Sequence, residues 1–441
     1  MRSGWNSNHS FFSPSYIILK EKKVSKLSLI NTGDNILHYF YELKEFFILY
    51  ENEYVKLPNE RLMSISIINN YIENLFPVFR IVLDIDTSTY FKILKNKSTV
   101  KFKIRMQKFY RKGVNHTKVS LYDDYLSKTF SLILDDDDND LEEEIRKKAY
   151  GEDELNQLFA KKNQIEFFLF DSELLNSFKK TINVIIDNGT VTNAISLIAS
   201  RVGLTNLLMS PSDNIKTYDQ MIIPPMKLSA ALAYIDTFYG LYEKGSLIYF
   251  GVEAGYILKY DGPCTAYHYN ENQTTSILVP KPSGELSDNP GVLLKQNQSN
   301  QVFNICPYNS ISFRDDTVSK DLLEGKEVRI IDLYTGEVLD TLEDDEKGRR
   351  RIITNRGENE YFVSIYKSQM NSSETVISCA FEDIDLSTMT PNKRFNFIFE
   401  DIRLSRKYRG TYILTQCNIL FTRQSNEFKA VTQCIFRKSG E

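Results

Sequence analysis

The 441 residues predict an α+β chain that is mainly β, with a β domain at each end and a smaller α/β domain between them. Three observations carry this. Apolar and polar residues alternate with period two through the first third of the chain and again through its last part, the signature of half-buried strands. Helix-period spacing with recognisable caps is concentrated between about 190 and 245. No sequence motif of a catalytic, metal or phosphate site interrupts either pattern.

In the first third, Val100, Phe102, Ile104 and Met106 alternate with Lys101, Lys103, Arg105 and Gln107, which gives a strand with one basic, wet face. Phe130, Leu132 and Leu134 alternate in the same way. Segments 15–20, 24–31, 45–50 and 61–68 are short, β-rich and separated by polar turns, so an antiparallel sheet or barrel is expected over 1–164. The acidic run Asp135 to Asp140 leads into a charged segment of helical composition near 140–163. It is similar to a calcium loop only superficially: the sixth-position Gly is missing and no register starting at Asp135 or Asp136 places Glu at the twelfth. A solvated loop before a helix N-terminus accounts for it.

The centre, 165–262, changes character. Strands are expected at 165–170 and 181–186. Thr190 is placed as the N-cap of a helix that sets Val191, Ala194, Ile195, Ile198 and Val202 on one face, with Gly203 as its left-handed stop. After Pro224 and Pro225 a second helix carries Leu228, Leu232, Ile235, Tyr239 and Tyr242 at three- and four-residue spacing, and Gly245 is expected to end it. Segments 246–250 and 256–260 then form a hairpin.

From 263 to 441 the chain returns to β. Segments 326–333 and 337–342 flank Tyr334-Thr335-Gly336 as a hairpin, and 280–291 reads as loop. Phe395, Phe397 and Phe399 alternate along one strand. Ile413, Cys417, Ile419 and Phe421 share a face of the next. Phe428, Ala430, Thr432, Cys434 and Phe436 line the last.

Composition narrows the function. A hydrophobic content of 42% and an aromatic content of 12% suffice for packed cores, and the net charge of −4 with interspersed signs gives no global case for a polyanion or membrane-surface partner. No apolar run reaches the roughly 20 residues of a membrane helix. The polar start of the chain lacks the apolar core of a secretory signal, so assembly in a reducing cytoplasm is expected. Cys264, Cys306, Cys379, Cys417 and Cys434 have no CxxC spacing and read as small buried hydrophobes.

Catalytic candidates are few. His9, His38, His116 and His268 are isolated. Asp84 and Asp86 would point the same way from one strand, as a carboxylate pair in an acid-base or metal site must, but a strand-end turn or cap is the preferred explanation. No catalytic, cofactor-binding or metal residue is assigned, and no cofactor is expected. A carboxylate pair distant in sequence leaves a cell-wall- or carbohydrate-cleaving enzyme as the alternative. The basic strand face, continued by Lys108, Arg111 and Lys112, has too few interleaved aromatics for a nucleic-acid groove. The basic run Gly348 to Arg351 follows the acidic Glu343 to Glu346, which suits a hairpin tip or subunit contact.

The block 205–260 carries a resemblance. Pro211, Asp213, Asn214, Tyr218, Gln220, Ile223, Pro224 and Pro225 precede a helix bearing Tyr234, Tyr239, Gly240 and Tyr242, then a hairpin bearing Tyr249, Phe250, Tyr256, Ile257 and Leu258. Near the C-terminus, Thr390-Pro391-Asn392-Lys393 enters one β run and Gly410-Thr411-Tyr412 enters the last strands. In these features the chain resembles the baseplate hub proteins of contractile-tailed bacteriophages and related injection machines. Where that family carries a basic residue after the last Tyr, this chain has Ile413. The resemblance implies two tail-tube-like antiparallel β-barrel domains with a smaller α/β domain between them. It also implies a homotrimeric ring adapting a six-fold tail tube to a three-fold spike. Its implied partners are the central spike, the tail tube or tube-initiator proteins, the tape measure and baseplate wedge proteins. It implies a place in the virion, with no stable membrane insertion and no sequence-specific nucleic acid. A tail-tip protein of a non-contractile phage shares the same implied core.

Overall fold

The computed structural model describes residues 36–439, except 51–52, 86, 113–116, 134–163, 205, 261–273, 283–285, 287–289, 296–300, 317–327, 334, 343–350, 356 and 366–373. The strands expected at 15–20 and 24–31, the acidic run with its helical segment, and the basic run at 348–350 fall outside the described residues.

The N-terminal strands are β1 (Ile36–Tyr50), β2 (Glu53–Lys56), β3 (Leu62–Asn70), β4 (Val78–Asp84), β5 (Lys101–Lys112), β6 (Thr117–Ile133) and β7 (Gln164–Asp171), with helix α1 (Thr87–Lys95) between β4 and β5. The chain ends in the long hairpin of β22 (Thr411–Gln424) and β23 (Glu427–Lys438). These two ends of the sequence join. Following hydrogen-bonded neighbours, β22, β3, β4, β7, β6, β5, β1 and β23 return to β22, a closed barrel of eight antiparallel strands. An eight-stranded barrel is just wide enough to be filled by its own side chains. Tyr41, Phe46, Phe79, Phe102, Phe130 and Phe421 fill this one, with Phe79 and Phe130 stacked at 4.2 Å.

A second closed path shares that hairpin. It runs from β1 through β14 (Gly291–Lys295), β15 (Gln301–Ile305), β13 (Thr274–Val279) and β21 (Arg394–Phe399) to β22 and β23. Beyond β23 lie β20 (Glu374–Glu382) and β16 (Ile311–Asp316). The expectation of purely antiparallel pairing needs refinement here, because β13 runs parallel to both β15 and β21. Such pairing requires crossover connections that no local pattern announces. The fold is therefore mainly β, built on closed β-barrel architecture.

Two long strands serve both rings by dividing their length. In β22, Tyr412 and Ile413 pair with β21, whereas Gln416 to Thr422 pair with β3. A bulge at Thr415 separates the halves, and an extra residue inverts the alternation. Tyr412 and Leu414 thus point inward before it, and Cys417, Ile419 and Phe421 after it. This corrects the single face expected for Ile413 with Cys417, since uniform period two cannot foresee the bulge. β1 meets β14 at Ile36 and Leu37, and a bulge at Lys44 in its ladder with β5 likewise turns the inward face over, with Tyr41 and Leu43 inward before it and Phe46 and Ile48 after it. Phe395, Phe397 and Phe399 of β21 and the five named residues of β23 are buried as expected.

The central body contains α2 (Ser172–Lys179), β8 (Thr181–Gly189), α3 (Val191–Val202), β9 (Leu207–Met209), β10 (Tyr218–Lys227), α4 (Leu228–Phe238), β11 (Ser246–Phe250) and β12 (Gly255–Lys259). Thr190 caps α3 by accepting from the Asn193 amide, and Gly203 stops it with φ 84°. Pro224 and Pro225 lie in β10 at the register shift between Ile223 and Met226, where a missing ladder donor is tolerated. Helix α4 starts after them as expected but ends at Phe238. Gly240, at φ 75°, sends its amide back to the Ile235 carbonyl. Gly245 was expected as the stop; the apolar spacing merely continues beyond the helix, because Tyr239 and Tyr242 are buried from a turn. The hairpin of β17 (Val328–Asp332) and β18 (Val338–Leu342) forms around Gly336, with β19 (Arg351–Asn355) added in parallel to β17.

Candidate functional site

The hairpin β11–β12 is the joint of the molecule. Leu247, Tyr249, Tyr256 and Leu258 face the barrel core, while Phe250 and Ile257, with Ile248 partly buried, face the α/β core. β7 is used likewise: Phe167 and Leu169 point into the barrel, and Phe170 and the half-buried Phe168 point out into the α/β core. This explains why QIEFFLFD and SLIYF lack alternation, since a strand buried on both faces reads as a continuous apolar run. Ile133, on the opposite face of its strand from Phe130 and Leu132, is covered for the same reason.

Polar contacts lock the joint. The Tyr249 hydroxyl donates to Asn69 Oδ1 at 2.7 Å, and Asn69 Nδ2 donates to the Cys417 carbonyl at 2.8 Å, so one chain of bonds crosses from the hairpin through β3 to β22. The rings of Tyr71 and Tyr249 meet edge to face at 4.7 Å. The Phe250 amide donates to Leu75 O, and Phe76 packs against Phe178 and Phe250. At the hairpin tip Glu253 borders a small internal cavity with Ile67, Asn69, Tyr125 and Ile419. Its side chain is exposed to solvent, and its Oε2 lies 3.5 Å from the Tyr256 hydroxyl.

The residues of the 205–260 block form a second lock. Asn214, buried, donates from Nδ2 to the carbonyls of Tyr239 and Gly240 at 2.8 and 2.9 Å and accepts at Oδ1 from the Lys216 amide. It thereby satisfies carbonyls left open at the end of α4. Tyr218 and Tyr239 pack at 4.9 Å. The Tyr242 hydroxyl donates to a carbonyl of Ser210 or Ile257, at 2.8 and 3.1 Å. Asp213 receives the Glu243 amide and Lys259 Nζ. Beside them Asp236 accepts from the Ser246 hydroxyl. Burial raises the Asp236 carboxyl, and the bonds from Ser246 and the Leu241 backbone offset part of that rise.

Four residues of the basic strand face and its continuation, Lys103, Arg105, Lys108 and Arg111, are paired with carboxylates within the chain. Lys103 and Arg105 bind Glu45 at 2.7 and 3.1 Å, and Arg105 reaches Asp124 at 2.9 Å. Hydrogen bonds from Lys103, then Arg105, hold the Glu45 carboxyl below its ordinary value. Lys108 binds Asp385, and Arg111 binds Glu427. Asp84 sits 3.9 Å from the Arg61 guanidinium, and Asp86 lies outside the described residues. His38 contacts Asp383 at 3.3 Å, while His9, His116 and His268 are not among the described residues. Among those described, no cluster of three or more His, Cys, Asp or Glu is arranged to hold a metal ion. Among the described residues, no helix is long and apolar enough to cross a membrane. Sequence reasoning missed Asn69, Asp236 and Glu253; only the polar Asn69-Asn70 pair ending an apolar strand hinted at the first.

A packed barrel, a second strand ring and an α/β body clasped by tyrosines and asparagines make a scaffold. The chain belongs to the bacteriophage PBS1 gene 109 protein family, whose model matches residues 26–439. Among solved structures it is similar to the tail protein from Neisseria meningitidis MC58, with 9% identity over 91% of this chain and 97% of that one and a TM-score of 0.48. It is also similar to the 43 kDa tail protein of prophage MuSo2 from Shewanella oneidensis, with 11% identity over 88% and 96% and a TM-score of 0.44. Against the lidded Francisella PdpA-VgrG complex it aligns over 92% of its length and 53% of that chain, with 9% identity and a TM-score of 0.45. No curated protein matches the chain.

Proposed function

We propose that the chain is a structural hub of a phage tail or related contractile injection machine, acting by assembly and not by catalysis. The observation that carries this reading is the pair of strand rings built on one hairpin: a single subunit presents two β bodies in a fixed mutual orientation. Three such subunits in a ring place six β bodies around one axis, which adapts a six-fold tube to a three-fold spike. Spike below, tube or tube-initiator and tape measure above, and wedge proteins outside are the partners this geometry serves, in the virion baseplate.

Light scattering on the purified full chain tests the reading. A mass three times the 51.2 kDa of one chain, alone or after mixing with the spike protein, is expected. A monomer under every condition, with and without that partner, contradicts it.

A further inference from the structure

Four buried thiols lie in or beside the large sheet. Cys306 follows β15; Cys379 lies on β20, Cys434 on β23 and Cys417 on β22, and all four are buried. Cys379 and Cys434 are direct partners across one ladder, and Cys434 and Cys417 across the next. The Cys417 and Cys434 sulfurs already lie 3.8 Å apart in hydrogen-bond contact. Directly opposed residues of an antiparallel pair have Cα atoms about 4.5–5.5 Å apart, inside the span a disulfide bridges. The Cys306 thiol donates to the Pro307 carbonyl, and the sulfur that Cys434 meets is that of Cys417, which makes Cys417 its natural partner.

We propose that Cys417 and Cys434 are an oxidisable pair whose disulfide locks the hairpin shared by the two strand rings, formed when that wall is open and prevented once it is closed. The chemistry needs a low-molecular-weight disulfide as oxidant. One cysteine thiolate attacks it, forming a mixed disulfide and releasing one small thiolate. The second cysteine thiolate attacks the protein-bound sulfur and releases the other. Two electrons pass from the cysteine pair to the small disulfide, and the two cysteine protons end on the two leaving thiolates. In the closed wall both sulfurs are shielded, and burial pushes the Cys434 thiol well above its usual range, so the attacking thiolate is scarce and access is blocked. The two residues belong to one hairpin, so they remain neighbours when the rest of the wall opens.

The test uses the full chain in two arms, both with oxidised glutathione. In one the folded protein is incubated; in the other it is refolded from denaturant. Free thiols are then alkylated, and linked peptides are identified by mass spectrometry. The expected result is a dominant Cys417–Cys434 link after refolding and free thiols in the folded arm. The linked form should also unfold at a higher denaturant concentration than the same sample after reduction. A dominant link through Cys264, Cys306 or Cys379, no link after refolding, or equal linking in both arms overturns the proposal. The Cys417→Ser chain serves as control, in which the link to Cys434 must vanish or move to Cys379.

Discussion

The hairpins β22–β23 and β11–β12 each belong to two bodies, but they divide themselves differently. β22–β23 divides along its length: in β22, Thr411 to Ile413 pair with β21 of the second ring and Gln416 to Thr422 with β3 of the first, with a bulge between the two stretches. β11–β12 divides by face, one side in the barrel core and the other in the α/β core. Division by length makes the union of the rings depend on backbone ladders. Division by face makes the union of barrel and α/β body depend on side chains. Substitutions should therefore affect the two joints unequally.

The largest effect is expected in the shared wall. Phe421 is fully buried between Tyr41 and Tyr125, so Phe421→Ala should lower stability by about 3–5 kcal/mol in denaturant unfolding. A loss confined to the first barrel, with the second left at full stability, would break the idea of a common wall.

Next comes the α/β lock. Asn214→Ala leaves two buried carbonyls at the end of α4 without their donor and should cost about 1–3 kcal/mol. Hydrogen exchange should show the loss first at residues 210–242. In the face-divided hairpin, Tyr249→Phe keeps the ring and removes only the bond to Asn69, with an expected cost of roughly 1–2 kcal/mol. If Tyr249→Phe leaves stability and the exchange of the β11–β12 amides unchanged, the dependence of this joint on side-chain bonds fails.

Asp236 gives a pH-dependent handle on the same lock. Its folded pKa is raised by burial, so the folded state holds its proton to higher pH than the unfolded chain does. Its contribution to stability is therefore full below the unfolded pKa and is lost as pH rises through the folded one. Asp236→Asn keeps a carbonyl acceptor for Ser246 and should gain on the wild type as pH rises from the acid side, with the difference closing on acidification. Thermal unfolding across pH reads this directly. The smallest effect belongs to the outer barrel face. Lys103→Gln breaks an accessible ion pair with Glu45 and should change stability by less than about 0.5 kcal/mol.

These joints also explain what the sequence made legible. Strands with one wet face were readable by alternation, and Thr190, Gly203 and the Pro-Pro step gave helix boundaries through backbone chemistry that acts locally. Closure was not readable. The pairing of β3 with β22, of β1 with β23 and of β13 with β21 links residues far apart in sequence, and nothing in a strand's own pattern names its neighbour. Thr415 and Lys44 look ordinary, yet each carries a bulge that turns the inward face over. The motif residues of 205–260 could be picked out, and Asn214 and Tyr242 proved to be hydrogen-bond anchors. Tyr249's partner Asn69 could not be found, because the contact spans 180 residues. Gly245 misled because apolar spacing continued past the true stop at Gly240.

The measurement that bears most directly on the account is native-state hydrogen exchange along β22. If the hairpin is a wall common to both rings, amides paired toward β21 and amides paired toward β3 should share one opening free energy and fall together under Phe421→Ala. Two distinct opening free energies, with the substitution lowering only the half that pairs with β3, would show two independent barrels and contradict it.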